Sequence, residues 1–377
     1  MNSRLSFTPN HFIRIAAIGL FLNSFTVCAQ SPFKGFENLF AIPKNYIVNY
    51  VKVPPLIDGE INDPIWQQAQ WTDDFKDIEG DLKPNPALQT NVKMLWDDSC
   101  LYIAARIIDP NVWANIKQHD EVVFHDNDFE VFINPNNTTH QYFELEFNAL
   151  NTVFDLFLNK PYRNGGNAMF GWNPEGLQSA VKIQGSLNDP SDKDKGWTIE
   201  IAIPFKAISL GNDIQVPKDG TLWRVNFSRV EWDTKADKGK YVKLKDHKGN
   251  NLPEHNWVWS PQGIVNMHYP ERWGYLQFNK TSTNTVFNLP YSEQQKRYLW
   301  LIYYQEKKWY TQHQVYQQSL TLFGLPDEIK IDDHLNTLQI EATSHQFMAF
   351  ITDKNDHITW VINQDGLVSQ LNKKSNE

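Results

Sequence analysis

The chain has 377 residues, 41% hydrophobic and 21% charged, enough apolar material for a real core, so most of it is expected to be globular. Its net charge of −9 is spread without long single-sign blocks, which argues against nucleic acid as a partner. Aromatic content is unusual: 14 Trp, 14 Tyr and 23 Phe supply either sandwich-core packing or flat platforms for sugar rings, and composition does not separate the two.

Residues 1–29 read as a signal peptide. Arg4 and Arg14 give positive charge, 15–27 is mostly apolar but too short to span a bilayer, and Val27-Cys28-Ala29 offers a small-residue cleavage pattern before Gln30. The expected location is secreted, periplasmic or cell-surface, with no transmembrane segment. Acylation of Cys28 is the alternative to simple cleavage near Ala29. Cleavage removes two arginines and no acid, making the mature chain more negative. It leaves Cys100 as the one cysteine, which permits neither an intramolecular disulfide nor a cysteine metal cluster.

Residues 30–45 read as a lead-in, and no element is predicted before residue 51. In the following stretch the prolines bracket an extended piece, Asp58-Gly59 makes a turn, and Asp63-Pro64 starts a short helix carrying Trp66. Residues 91–96 alternate, with Val92, Met94 and Trp96 on one face. A turn at 97–99 leads into a strand over 100–108, where Cys100 is a small hydrophobe. A connection over 111–128 precedes His125-Asp126-Asn127-Asp128-Phe129-Glu130-Val131-Phe132-Ile133-Asn134-Pro135. As a strand this puts Phe129, Val131 and Ile133 on one face and Glu130 with Phe132 on the other. Residues 142–148 set Phe143, Leu145 and Phe147 against Tyr142, Glu144, Glu146 and Asn148, and 153–158 completes a meander. A long loop over 159–174 carries Tyr162, Arg163 and Trp172. Strands are predicted at 197–203 and 222–230, the latter with Arg224, Asn226 and Ser228 opposite Trp223, Val225 and Phe227. Residues 235–250 read as a charged, mobile excursion, and 257–260 and 272–278 as the last two strands.

Short strands separated by turns, without βαβ units or a glycine-rich phosphate loop, predict an all-β protein. Its fold class is an antiparallel β-sandwich of jelly-roll or immunoglobulin-like type over 46–279. A polar linker at 281–285 follows. Ser292 and Gln295 make a capping box for a helix ending at Gly324-Leu325-Pro326, with Leu299, Ile302, Trp309 and Tyr316 as its buried residues. Residues 338–342, 347–351 and 358–363 form a small β-meander with its last turn at Asp365-Gly366. This extension over 281–377, of unknown role, is an accessory module or a cap on the sandwich.

The acidic pairs Asp126/Asp128 and Glu144/Glu146 fit the two carboxylates of a glycosidase, and strand geometry puts Glu144 and Glu146 about 6–7 Å apart along the chain. The same alternation also describes a solvated sheet face, so no catalytic residue is assigned. The histidines lack paired spacing for zinc: His119 and His125 stand on a loop and His140, His255 and His268 occur singly.

Residues 46–279 resemble carbohydrate-binding module family nine, the sugar-binding β-sandwiches attached to secreted xylanases. The resemblance rests on an ordered series: Ile57-Asp58-Gly59-Glu60-Ile61-Asn62-Asp63-Pro64-Ile65-Trp66, then Val92-Lys93-Met94-Leu95-Trp96-Asp97-Asp98, then Asn127-Asp128-Phe129-Glu130-Val131-Phe132-Ile133. Gly196-Trp197-Thr198-Ile199-Glu200-Ile201-Ala202-Ile203-Pro204, Trp259-Ser260 and Trp273-Gly274-Tyr275-Leu276 complete it. It implies a glycan end held between two tryptophans and met by polar side chains. Here Phe124 and Met267 stand at the platform positions. Glu130 matches a ligand-contacting glutamate, Asn148 sits beside a polar contact position, and Glu146 stands where an arginine is expected. The implied carbohydrate-binding residues are Phe124, Glu130, Glu146, Asn148, Trp172, Met267 and His268, with Trp113 and Trp257 as further platforms. Family members often hold structural calcium, for which Asp58, Glu60 and Asp63 supply oxygen ligands near a turn; no organic cofactor is expected.

The expected function is binding of a xylan- or cellulose-type polysaccharide or oligosaccharide in carbohydrate catabolism, without hydrolysis. The alternatives are an O-glycosyl hydrolase or its accessory subunit, a haem-binding sandwich with Met267 as axial ligand, and a surface-assembly protein meeting protein partners through its C-terminal extension.

Overall fold

The computed structural model describes residues 31–281 and 285–371, so the expected signal peptide and Cys28 lie outside the described residues. Up to residue 281 the strands are β1 (Asn45–Tyr50), β2 (Lys76–Asp77), β3 (Thr90–Trp96), β4 (Cys100–Ile107), β5 (Asp128–Asn134), β6 (Tyr142–Asn148), β7 (Val153–Leu158) and β8 (Ala168–Met169). They continue with β9 (Gln178–Gln184), β10 (Gly196–Pro204), β11 (Leu222–Glu231), β12 (Thr234–Asp237), β13 (Lys240–Lys243), β14 (His255–Val258) and β15 (Gly274–Asn279). Hydrogen bonds join them in the order β8-β7-β6-β5-β11-β15-β1-β3-β4-β10-β9, with β14 beside β11 and β2 beside β14.

This path folds over on itself. Phe129, Val131 and Phe227 from one half meet Met94, Ile103 and Ile201 from the other in a single core, the expected all-β sandwich. The corner is β1, for which the sequence carries no strand prediction. Its first residues pair with β15 and its last two with β3, both in parallel, so one strand passes from one half to the other. The antiparallel rule therefore has its exception at the seam.

The segment around Asp58 to Trp66 lies across β9 and β10. Glu200 of β10 is wholly buried and accepts the Trp66 indole N–H at 2.6 Å and the Gly59 and Asp58 amides at 2.8 and 3.1 Å. Gly59 has φ +85°, and a Cβ there would stand 2.8 Å from the Lys182 nitrogen, so the turn needs glycine. Asp63 caps the short helix Pro64–Gln68, accepting the Ile65 amide, as the Asp63-Pro64 pair predicts.

Several local expectations are corrected. Residues 235–250 are not a structureless excursion, because β12 and β13 pair as a hairpin. The strand β9 was missed because its residues are exposed or half-buried and carry little apolar periodicity. The capping box does not start the helix: α1 (Tyr291–His313) has Pro290 at its N-cap with no side-chain cap, and Ser292 lies inside the first turn. The helix also stops well before Gly324, where Gln314 takes φ +60° and its amide bonds the Tyr310 carbonyl. Leu299 and Ile302 are buried as expected, whereas Trp309 and Tyr316 are half-buried.

After α1 come β16 (Glu328–Ile331), β17 (His334–Ala342), β18 (Phe347–Asp353), β19 (Thr359–Asn363) and β20 (Val368–Leu371), a five-stranded meander that extends the expected one on each side. The helix packs on it, and Phe40, with Phe33 and Phe36 beside it, enters the same second core. The extension docks on the sandwich through one buried ion pair, Arg224 of β11 with Glu293 at 2.8 Å, to which Lys296 adds at 2.6 Å from Glu293. Glu271, paired with Arg163 at 2.8 Å within the sandwich, also accepts the Tyr304 hydroxyl of the helix.

Candidate functional site

One face of β5, β6 and β11 forms the main core, and the other face is also covered. Register places Glu130 opposite Glu146 on one side and opposite Ser228 on the other; Asp128 faces Asn148, and Phe132 faces Glu144. Strand alternation therefore collects Asp128, Glu130, Glu144, Glu146 and Ser228 on one surface. Asp128 is 1% exposed, Glu130 and Glu144 5%, Glu146 2% and Ser228 0%. The solvated-face reading of this alternation is thus overturned. Ile78, Val123, Met267 and Trp273, from loops before β3, β5 and β15, pack with Phe132 and Tyr142 into an apolar lid over it.

Few partners meet these acids. Asp128 Oδ1 accepts the Val230 amide at 3.2 Å, and Glu146 Oε2 accepts the Phe124 amide at 3.0 Å. Asp128 Oδ2, Glu130 Oε2 and Glu144 Oε2 accept no hydrogen bond among the described residues. Burial drives Asp128, Glu144 and Glu146 well above the usual carboxylate range, and mutual repulsion with Glu130 adds to it. Glu130 is pushed up to about 7, by burial first. His268 Nε2 lies 4.0 Å from Glu144, but burial followed by the Arg163 charge lowers that imidazole to about 4, so it is neutral near pH 7 and does not balance the acids.

Of the residues named from the sequence, Glu130 and Glu146 converge on this face, with Met267 and His268 at its lid. His268 exchanges a 2.9 Å hydrogen bond with the Tyr142 hydroxyl, while the Met267 sulfur receives the Gln262 amide at 3.0 Å and packs in the apolar lid. Phe124 is at the rim, packed against the cluster of Trp113, Val230 and Trp232, and its carbonyl accepts the Trp232 indole N–H at 2.8 Å. Asn148 is fully engaged in shaping loops, donating to the Ile116 carbonyl and to Asp126 and accepting the Leu150 and Thr152 amides. Trp172 lies on the opposite side of the sheet, 4.8 Å from the Phe143 ring at the main core. Asp58, Glu60 and Asp63 do not converge: Asp58 accepts the Glu60 amide, Glu60 pairs with Lys182 at 2.9 Å, and Asp63 caps its helix.

Sequence reading missed Ser228 as a site residue, because nothing local shows that β11 pairs with β5. It also missed a cleft of about 810 Å³ whose walls include Trp232, Glu254, His255, Asn256 and Trp257. Glu254 connects the two features, since its charge is close enough to raise Glu130 further.

A two-layer β-sandwich with one buried acidic face beside an aromatic-walled cleft is the class of module these features define. The chain belongs to the family described as "Carbohydrate family 9 binding domain-like", which matches residues 57–279. It is 27% identical over 197 residues to an exoglucanase XynX of Acetivibrio thermocellus, covering 52% of this chain and 15% of that protein. It is 26% identical over 229 residues to an endo-1,4-beta-xylanase A of Thermoanaerobacterium saccharolyticum, covering 61% and 17%. The chain thus spans only a small part of the length of these relatives. A solved carbohydrate binding module family 9 from Caldicellulosiruptor kristjanssonii, in complex with cellotriose, aligns at 17% identity with a TM-score of 0.39, covering 66% of this chain and 100% of that one.

Proposed function

We propose that this protein binds carbohydrate, and that the sugar sits in the cleft between Trp232 and Trp257, beside Glu130. The observation that carries this is the cleft itself. Its walls combine aromatic rings with the carboxylate of Glu254, the amide of Asn256 and the imidazole of His255. A pyranose needs that mixture, because its C–H faces stack on rings while its hydroxyls require directional partners. Phe124 belongs to the same rim through its contact with Trp232. The xylanase and exoglucanase relatives favour a β-1,4-linked plant polysaccharide as the ligand. Export of the precursor and service to a hydrolase belong to the same proposal.

Calorimetric titration with xylo- and cello-oligosaccharides tests it. Binding of one series, weakened at least tenfold in Trp232→Ala with the fold retained, is the expected result. No heat from either series, or full binding by the variant, overturns the assignment.

A further inference from the structure

Asp128, Glu130 and Glu146 each offer one carboxylate oxygen, and these oxygens all lie within 4.8 Å of one another. Backbone amides fix two of the three side chains, Asp128 through Val230 and Glu146 through Phe124. Among the described residues, no Lys, Arg or His forms an ion pair with any of the three. A second observation is independent of the acids. The Ser228 hydroxyl, wholly buried and opposite Glu130 on the same face, stands near enough to favour the ionised form of Glu130 but makes no hydrogen bond of good geometry, and Asp128 Oδ2 accepts none among the described residues. Unpartnered polar groups in such burial are rare, because each forfeits its hydration with nothing in return.

We propose that this cluster binds a calcium ion, held by Asp128, Glu130 and Glu146 with Ser228 as a further oxygen donor. The spacing allows it: two oxygens bound to one calcium at about 2.3–2.6 Å each stand no more than about 5.2 Å apart, and these three lie within that limit. The donor set is all oxygen, which matches a hard cation and is a poor match to zinc. The ion would supply the positive charge that no side chain brings to this face. The site is separate from the Asp58–Asp63 turn and does not rest on the glycan reading, since it is titrated with the ion alone.

The experiment is calorimetric titration of the chelator-stripped protein with calcium chloride, alongside thermal unfolding. At pH 7.5 we expect a Kd of about 10⁻⁷–10⁻⁵ M and a higher Tm with calcium. Glu130→Gln and Asp128→Asn should each lose at least tenfold in affinity, while their metal-free Tm holds or rises, because repulsion is relieved. Absence of calcium binding by the wild type overturns the proposal, as does unchanged binding in both variants. Loss of binding in Asp155→Asn instead would also overturn it, by moving the ion to His119, Asp120 and Asp155, the other described group with suitable spacing. Should one of these variants not fold, the other decides, and Ser228→Ala, which keeps all three acids, should also weaken calcium binding; unchanged binding there and in the folded acid variant overturns the site.

Discussion

Two buried charged regions lie on the same face of β11 and are built in opposite ways. At Arg224 every charge is answered. Its guanidinium donates to Glu293, the Tyr275 hydroxyl, the Trp273 carbonyl and Asn137, and Lys296 completes the network. Burial would raise Glu293, yet Arg224 and Lys296 hold it down to about 2. Further along the strand, at Ser228, the acids meet one another, and Glu130 is pushed the other way, to about 7. Equal burial with opposite shifts separates a docking contact, which locks the extension to the sandwich, from a face that lacks its counter-charge.

That contrast can be broken by experiment, and the largest effect is expected at the paired end. Arg224→Ala leaves Glu293 buried with one cationic partner and should cost about 3–5 kcal/mol in urea unfolding; a loss below about 1 kcal/mol would mean that the extension is not held there. Glu130→Gln should act with the opposite sign, stabilising the metal-free protein by about 1–3 kcal/mol near neutral pH because a desolvated charge is removed.

The pH profile sharpens the same comparison. Glu293 is depressed, so its contribution is present above about 4.5 and is lost as pH falls through about 2. Glu130 is raised, so its contribution is present below about 4.5 and is lost as pH rises through about 7. Metal-free protein should therefore be most stable near pH 4–5, and in Glu130→Gln the decline toward neutral pH should be shallower. A profile flat from pH 4 to 8 would refute this. The smallest effect is expected at an exposed pair: Lys44→Ala, which breaks the contact with Asp73, should change stability by no more than about 1 kcal/mol, as measured by the same unfolding.

Much of this arrangement was legible beforehand, in a specific sense. Alternation assigned Phe129, Val131 and Ile133 to one face and Glu130 with Phe132 to the other, and likewise divided β6 and β11 correctly. The family resemblance singled out Glu130 and Glu146 before any coordinates. What alternation does not report is what lies over a face. The second face of β5 and β6 looked like ordinary solvated strand surface, yet Ile78, Val123, Met267 and Trp273 cover it. Trp172 was drawn to the site by its loop, but the Phe143 side of the sheet claims it.

The sequence by itself determined the strands with clear apolar alternation, such as β3, β5, β6, β10 and β11, their two-faced patterning, the Asp58-Gly59 turn and the capped helix at Asp63, because these depend on backbone preferences and nearest neighbours. The tertiary structure decided the rest. It placed β1 in parallel at the seam, paired Ser228 with Glu130, set Arg224 beneath the C-terminal helix and brought the carboxylates together with no Lys or Arg pairing them among the described residues. These outcomes turn on which distant segments meet and on how much water they exclude. A carboxylate's charge state follows from that desolvation, which no local pattern of residues encodes.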